Sequence, residues 1–163
     1  MATSTVLITY EASLLMEENK LEEIIDGVSY FMPFPTIGHM LLLDYLTTFL
    51  KATTPAEHLV FGNPFGLGIR KRPLFTYRGP DIGVFPAADF AARERDHYIW
   101  VTPDLVVECL SPSNQKASVS QLLGNYESIG TAEVWLIFPE SQNVESRPAY
   151  GRQVGNGTKR NFR

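Results

Sequence analysis

The chain has 163 residues, the length of one ordinary domain, with 44% hydrophobic and 20% charged residues. That composition predicts a soluble globular core and excludes a disordered chain, and no apolar run reaches the length of a membrane span. The net charge of −4 argues against a generic polyanion binder, but it is unevenly spread: five basic residues and no acids lie from Arg147 onward, leaving nine basic against eighteen acidic groups before it.

Residues 1–16 mix Thr, Ser and apolar side chains with little periodicity and read as an arm packed on the body. They lack the basic start and small-residue cleavage site of a secretory signal. Residues 17–21 suit a short helical turn. Asp26-Gly27 between β-prone segments predicts a hairpin over 22–32, stopped by Pro33 and Pro35. Thr36 can cap a helix over 37–52, where Met40, Leu43, Leu46, Phe49 and Leu50 recur at helical spacing and His39 sits near the start.

A strand over 58–69 is expected to be interrupted by Gly62, Pro64, Gly66 and Gly68. Residues 75–85 form a strand carrying Asp81, 89–97 a polar connector, and 100–110 a strand carrying Glu108. A loop over 111–114 precedes a second helix at 118–129, stopped by Gly130, and a buried strand at 133–138. Strand, helix, strand across 103–138 favours a right-handed crossover and a parallel pair. The class is α/β or α+β: one central mixed sheet flanked by helices. A single domain over 1–145 is expected, with 146–163 as a basic, truncated or disordered tail.

Glu108 is a carboxylate inside an apolar run, and buried carboxylates are paired or bound to a metal. Asp104 shares its strand and its face, but four residues along a strand is roughly 13 Å, too far to share one ion. Asp81 opens a different strand, and neighbouring strands lie about 4.8 Å apart. Asp81 and Glu108 are therefore the preferred pair, a site for Mg²⁺ or Mn²⁺ completed by a backbone carbonyl and waters. A metal so held can activate water for phosphodiester cleavage. The lone Cys109 excludes an internal disulfide framework, fits a reducing cytoplasm, and reads as an inert core thiol. Arg70, Lys71, Arg72 and Arg78 are either a solvated charge run or a phosphate-contacting edge.

The runs "EEIIDG", "RGPDIGVF", "PDLVVECLSPS" and "NYESIGTAEVWLIFPE", with His39 at a helix start, resemble the Uma family of putative restriction endonucleases, within the PD-(D/E)XK nuclease superfamily. The resemblance covers about residues 17–145. It implies a restriction-endonuclease-like α/β/α core, Mg²⁺-dependent cleavage of DNA, homodimers, Asp81 and Glu108 as metal-binding acids, and Glu23 as an accessory acid. The chain also departs from the pattern. The superfamily lysine two residues after the acid is Leu110, and the family's alternative lysine, four residues before Tyr126, is Leu122. The acid at the start of that helix is Ser118, and the final strands look shortened. Lys116 is the nearby substitute for the lysine. The expectation is thus a Mg²⁺-dependent endonuclease with Asp81, Glu108 and Lys116 as catalytic residues. The alternative is a catalytically degenerate member acting as a binding or dimerisation module.

Overall fold

The computed structural model describes residues 6–16, 22–62, 64–90, 97–110, 116–148 and 160–161. The segment 17–21, expected as a helical turn, and the loop 111–114 lie outside them. Strand β1 (Glu22–Ile25) and β2 (Val28–Phe31) form the hairpin anticipated from Asp26-Gly27. Both turn residues take positive φ, 52° and 79°, as a tight two-residue hairpin turn requires. The arm does pack on the body. It holds a short helix α1 (Tyr10–Ser13), the Ile8 amide donates to the Gly27 carbonyl at 2.7 Å, and Tyr10 lies against Phe75 and Trp100.

Helix α2 (Ile37–Thr53) starts where Thr36 predicts, with the Thr36 hydroxyl accepting from the His39 amide at 3.2 Å. Two expected strands each divide. The first becomes β3 (His58–Gly62) and β4 (Leu67–Arg70); the second becomes β5 (Thr76–Arg78) and β6 (Ile82–Pro86). A 3₁₀ turn (Ala87–Phe90) follows, then β7 (Leu105–Cys109), α3 (Lys116–Ser128), β8 (Glu133–Phe138), β9 (Asn143–Pro148) and β10 (Arg160–Asn161).

These divisions give two sheets where one was expected. The smaller is antiparallel, ordered β2-β1-β5-β4. The larger is mixed, ordered β10-β9-β8-β7-β6-β3. The cause is local: Gly79-Pro80 interrupts the ladder, since proline donates no amide hydrogen, and the chain leaves one sheet for the other at that point. The parallel pair is β7–β8, with α3 as its crossover, and the other pairs in the larger sheet are antiparallel. Strand β9 runs to Pro148 and pairs with β8 along its length, so a boundary after residue 145 falls inside a strand. Its pattern is weak because the ladder to β8, rather than its own apolar alternation, holds it in place.

The larger sheet buries both faces. On one, Leu50 of α2 packs with Ile82, Val84, Val107 and Ile137. On the other, Leu122 and Tyr126 of α3 pack with Phe85, Val106, Val134 and Leu136. Alternation along β7 sends Val106 and Glu108 toward α3 and Val107 toward α2. Of the two tryptophans read as core aromatics, Trp100 packs against the smaller sheet's cluster and Trp135 against the α2 side. Among the described residues no helix is long and apolar enough to cross a membrane.

A candidate metal centre at the end of the larger sheet

Strands β6 and β7 are antiparallel neighbours with Ile82 opposite Val107. One step further along this register, Asp81 stands opposite Glu108. The Asp81 Oδ2 atom accepts from the Cys109 amide at 2.7 Å, so its carboxylate is drawn across the end of β7. Its Oδ1 atom lies 3.3 Å from His39 Nε2, which comes from the first turn of α2. Both acids line one cleft of about 950 Å³, bounded by the α2 side chains His39, Leu43 and Thr47 and by Ser118, Val119 and Leu122 of α3. Asp104 points elsewhere, toward His58 at 3.1 Å.

Glu108 is held by chemistry the strand alone does not supply. The fully buried Tyr126 on α3 donates its hydroxyl to Oε1. Burial, and next the negative charge of Asp81, push the Glu108 carboxyl well above the usual carboxylate range; the Tyr126 hydrogen bond and Arg78 oppose that shift. Tyr126 is itself raised, by burial first and then by Glu108. Burial also pushes the Cys109 thiol up to about 11, with both acids adding to the effect, which leaves it protonated and unreactive at neutral pH.

Glu23 lines the same cleft but is fully engaged. Its Oε2 accepts from Arg78 Nη1 at 2.9 Å and its Oε1 from the Gly79 amide at 2.9 Å. Arg78 is buried, and the Asn125 amide on α3, turned with its oxygen toward the guanidinium, accepts from Nη2 at 3.0 Å and from Nε at 2.9 Å. This network ties β1, β5 and α3 together beside the acids and holds the Gly79-Pro80-Asp81 bend. Lys116 opens α3, and its side chain lies outside the described residues. Leu110 and Leu122, at the two lysine positions, both pack in the core with Tyr126.

The basic run 70–72 is engaged locally. Arg70 pairs with Asp26 and Arg72 with Glu11, while Lys71 sits over the rings of Tyr10 and Trp100 at 4.6 and 4.5 Å. Composition and spacing did not reveal Asn125, nor the role of Tyr126. The available signal was a large polar aromatic beside an amide on the inner face of a helix. Arg78, read from the sequence as part of a solvated charge run or a phosphate-contacting edge, is instead buried beside the Gly-Pro-Asp bend and paired with Glu23.

No curated protein matches the chain. Its fold is similar to a solved structure described as "a putative nuclease belonging to DUF820 from Anabaena variabilis ATCC 29413". That match has a TM-score of 0.75, 21% identity, and coverage of 95% of this chain and 85% of the other. Residues 9–151, nearly the whole chain and past the boundary expected at 145, match the family described as "Uma2: Putative restriction endonuclease", and the protein belongs to that family.

Proposed function

We propose that this protein is a Mg²⁺- or Mn²⁺-dependent endonuclease acting on DNA, with Asp81 and Glu108 as the metal-binding acids. The observation that carries the reading is the juxtaposition of two acids on adjoining strands in one cleft. One of them is driven out of its normal range partly by the charge of the other. A pair so destabilised by mutual repulsion fits a divalent cation, which would relieve it. Among the described residues no three His, Cys, Asp or Glu side chains converge at ligand spacing. Two carboxylates match the demand of Mg²⁺, which keeps several waters and takes substrate phosphate oxygens. The bound ion would supply Lewis acidity toward the scissile phosphate and lower the pKa of a bound water.

The chain's own groups prepare that chemistry. The Cys109 amide and His39 orient the Asp81 carboxylate, and Tyr126 fixes Glu108. Glu23 acts through Arg78 and the Gly79 amide as a positioning residue, since both of its oxygens are committed there. Lys116, opening the helix that walls the cleft, is the cation assigned to steady the attacking water. The family membership supports DNA as substrate, and a homodimer with two clefts is part of the same proposal. The single cysteine supports a cytoplasmic setting.

Supercoiled plasmid incubated with purified protein and Mg²⁺ or Mn²⁺ tests the reading. Nicking is expected from the wild type and none from Asp81→Ala or Glu108→Ala. Calorimetric Mg²⁺ binding that is unchanged in both variants would remove the assignment. A second reading, a degenerate nuclease fold kept as a binding module, is favoured by the packing of Leu110 and Leu122 into the core where lysines are expected. Metal binding without cleavage, and no loss of function in Lys116→Ala, would select it.

A further inference from the structure

The segment joining β2 to α2 holds an aromatic side chain out in water beside the two acids. Phe34 is 84% exposed, and Met40 in the first turn of α2 is 49% exposed. Scattered exposed apolar side chains are ordinary on a protein surface. These two line the same cleft as Asp81 and Glu108, together with Pro33 and Pro35, and their exposure places them at its mouth. Met32 is half-buried, and its Cε atom lies 3.4 Å from the position that a Cβ on Gly79 would take. The segment is thereby anchored over the bend that leads into Asp81. Proline fixes its own φ and restricts the residue before it to extended conformations. Pro33 and Pro35 therefore limit the backbone of Met32 and Phe34, and little chain entropy is left to lose when the Phe34 ring meets a ligand.

We propose that Phe34 is a stacking platform for an unpaired base, so that the cleft takes single-stranded DNA in preference to duplex. The inference rests on the nuclease reading and narrows its substrate. The charge of the cleft carries the choice. Its described lining holds four acids, Glu23, Asp44, Asp81 and Glu108, against two cations, Lys51 and Arg78. A bound divalent ion would bring that balance only to neutrality. Arg78 is buried and already engaged by Glu23 and Asn125, and Arg70 and Arg72 are paired with acids of their own.

Duplex binding draws much of its affinity from Lys and Arg neutralising many phosphates, and this lining offers too few. Single-strand sites add base–aromatic stacking, which needs no charge and tolerates any sequence because every base has a π-face. A base stacked on Phe34 leaves the strand's phosphates to the ion at the acids. A duplex keeps its bases stacked on one another and offers the ring nothing to hold unless a base is flipped out at a cost.

Fluorescence anisotropy of an end-labelled DNA strand of about 20 nucleotides tests it, long enough to cover one single-strand site. The full chain is used with Ca²⁺ in place of Mg²⁺, so that binding is read without cleavage. The single strand is expected to bind about tenfold more tightly, or better, than the same strand in duplex. Phe34→Ala should weaken single-strand binding roughly tenfold while leaving duplex binding and the thermal melt unchanged, and Phe34→Trp should retain it. A strand of the same length with abasic sites in place of bases should bind the wild type as weakly as the intact strand binds Phe34→Ala. Equal affinity for single strand and duplex, or a single-strand affinity indifferent to Phe34→Ala, would overturn the proposal. So would a Phe34→Ala change that leaves strand binding intact and instead releases the chain from anionic vesicles. Plasmid nicking that does not depend on Asp81 and Glu108 removes the nuclease reading, whereas strand binding that does not depend on Phe34 removes this inference alone.

Discussion

Glu108 is the residue whose titration governs the site. Its folded pKa stands above the ordinary carboxylate value because burial and Asp81 both oppose its charge. The native state therefore holds a proton that the unfolded chain releases. The associated stability is fully present below about pH 4.5 and is lost as pH rises through the folded pKa. Glu108→Gln mimics the protonated form and keeps the Tyr126 hydrogen bond. Thermal melts without metal should show the two proteins close near pH 4.5, with the wild type falling behind progressively at higher pH; parallel profiles would contradict the shift. Glu23 makes a different case. Removing it strands the buried Arg78 charge, and breaking such a pair costs about 3–5 kcal/mol. Glu23→Ala should lower the urea midpoint accordingly, and Asp81→Asn much less. A loss of Mg²⁺ affinity without loss of stability would make Glu23 a direct ligand instead.

At the scale of elements, the site depends on where two helices begin and end. Thr36 caps α2 through the His39 amide, so the cap also sets the position of the imidazole that faces Asp81. Thr36→Ala should cost about 1 kcal/mol in chemical denaturation. Helix α3 ends at Gly130, whose φ of +83° disfavours any residue with a Cβ, so Gly130→Ala should cost a similar ~1 kcal/mol. Inside α3, Leu122 sits where a lysine belongs in the family pattern yet packs against the sheet. Leu122→Ala should cost about 2–5 kcal/mol as a cavity mutation, read by the same denaturation. A near-zero cost would mean that Leu122, which also walls the cleft, contributes nothing to the core.

For the whole molecule, the larger sheet gathers at one end what the chain scatters over 85 positions, from Glu23 to Glu108. If the two acids share a cation there, native protein binds it and unfolded protein does not. Millimolar Mg²⁺ or Mn²⁺ should then raise the melting temperature, by RT ln(1 + [L]/Kd) in free energy, and should do so more strongly at higher pH as Glu108 gives up its proton. Differential scanning calorimetry of wild type against Asp81→Asn checks it, and an equal rise in both would place the ion elsewhere.

Helices α2 and α3, the hairpin and the parallel β7–β8 pair were legible in the chain. A capping threonine, an Asp-Gly turn and a 3.6-residue period act over a few residues and need no partner. The charge anomaly at Glu108 was legible for the same reason: it stands out against its own neighbours. Several features were decided only by tertiary contact. Pairing assigned β3 and β6 to one sheet and β4 and β5 to the other, on either side of the breaks after Gly62 and at Gly79-Pro80, and β9 exists by pairing with β8. Glu23 was claimed by Arg78, and Tyr126 and His39 were brought to the acids from two helices. Hydrogen-bond partners up to 61 residues apart leave no periodic trace in a sequence, so the chain alone determined which residues carry charge, and the fold determined which of those charges meet.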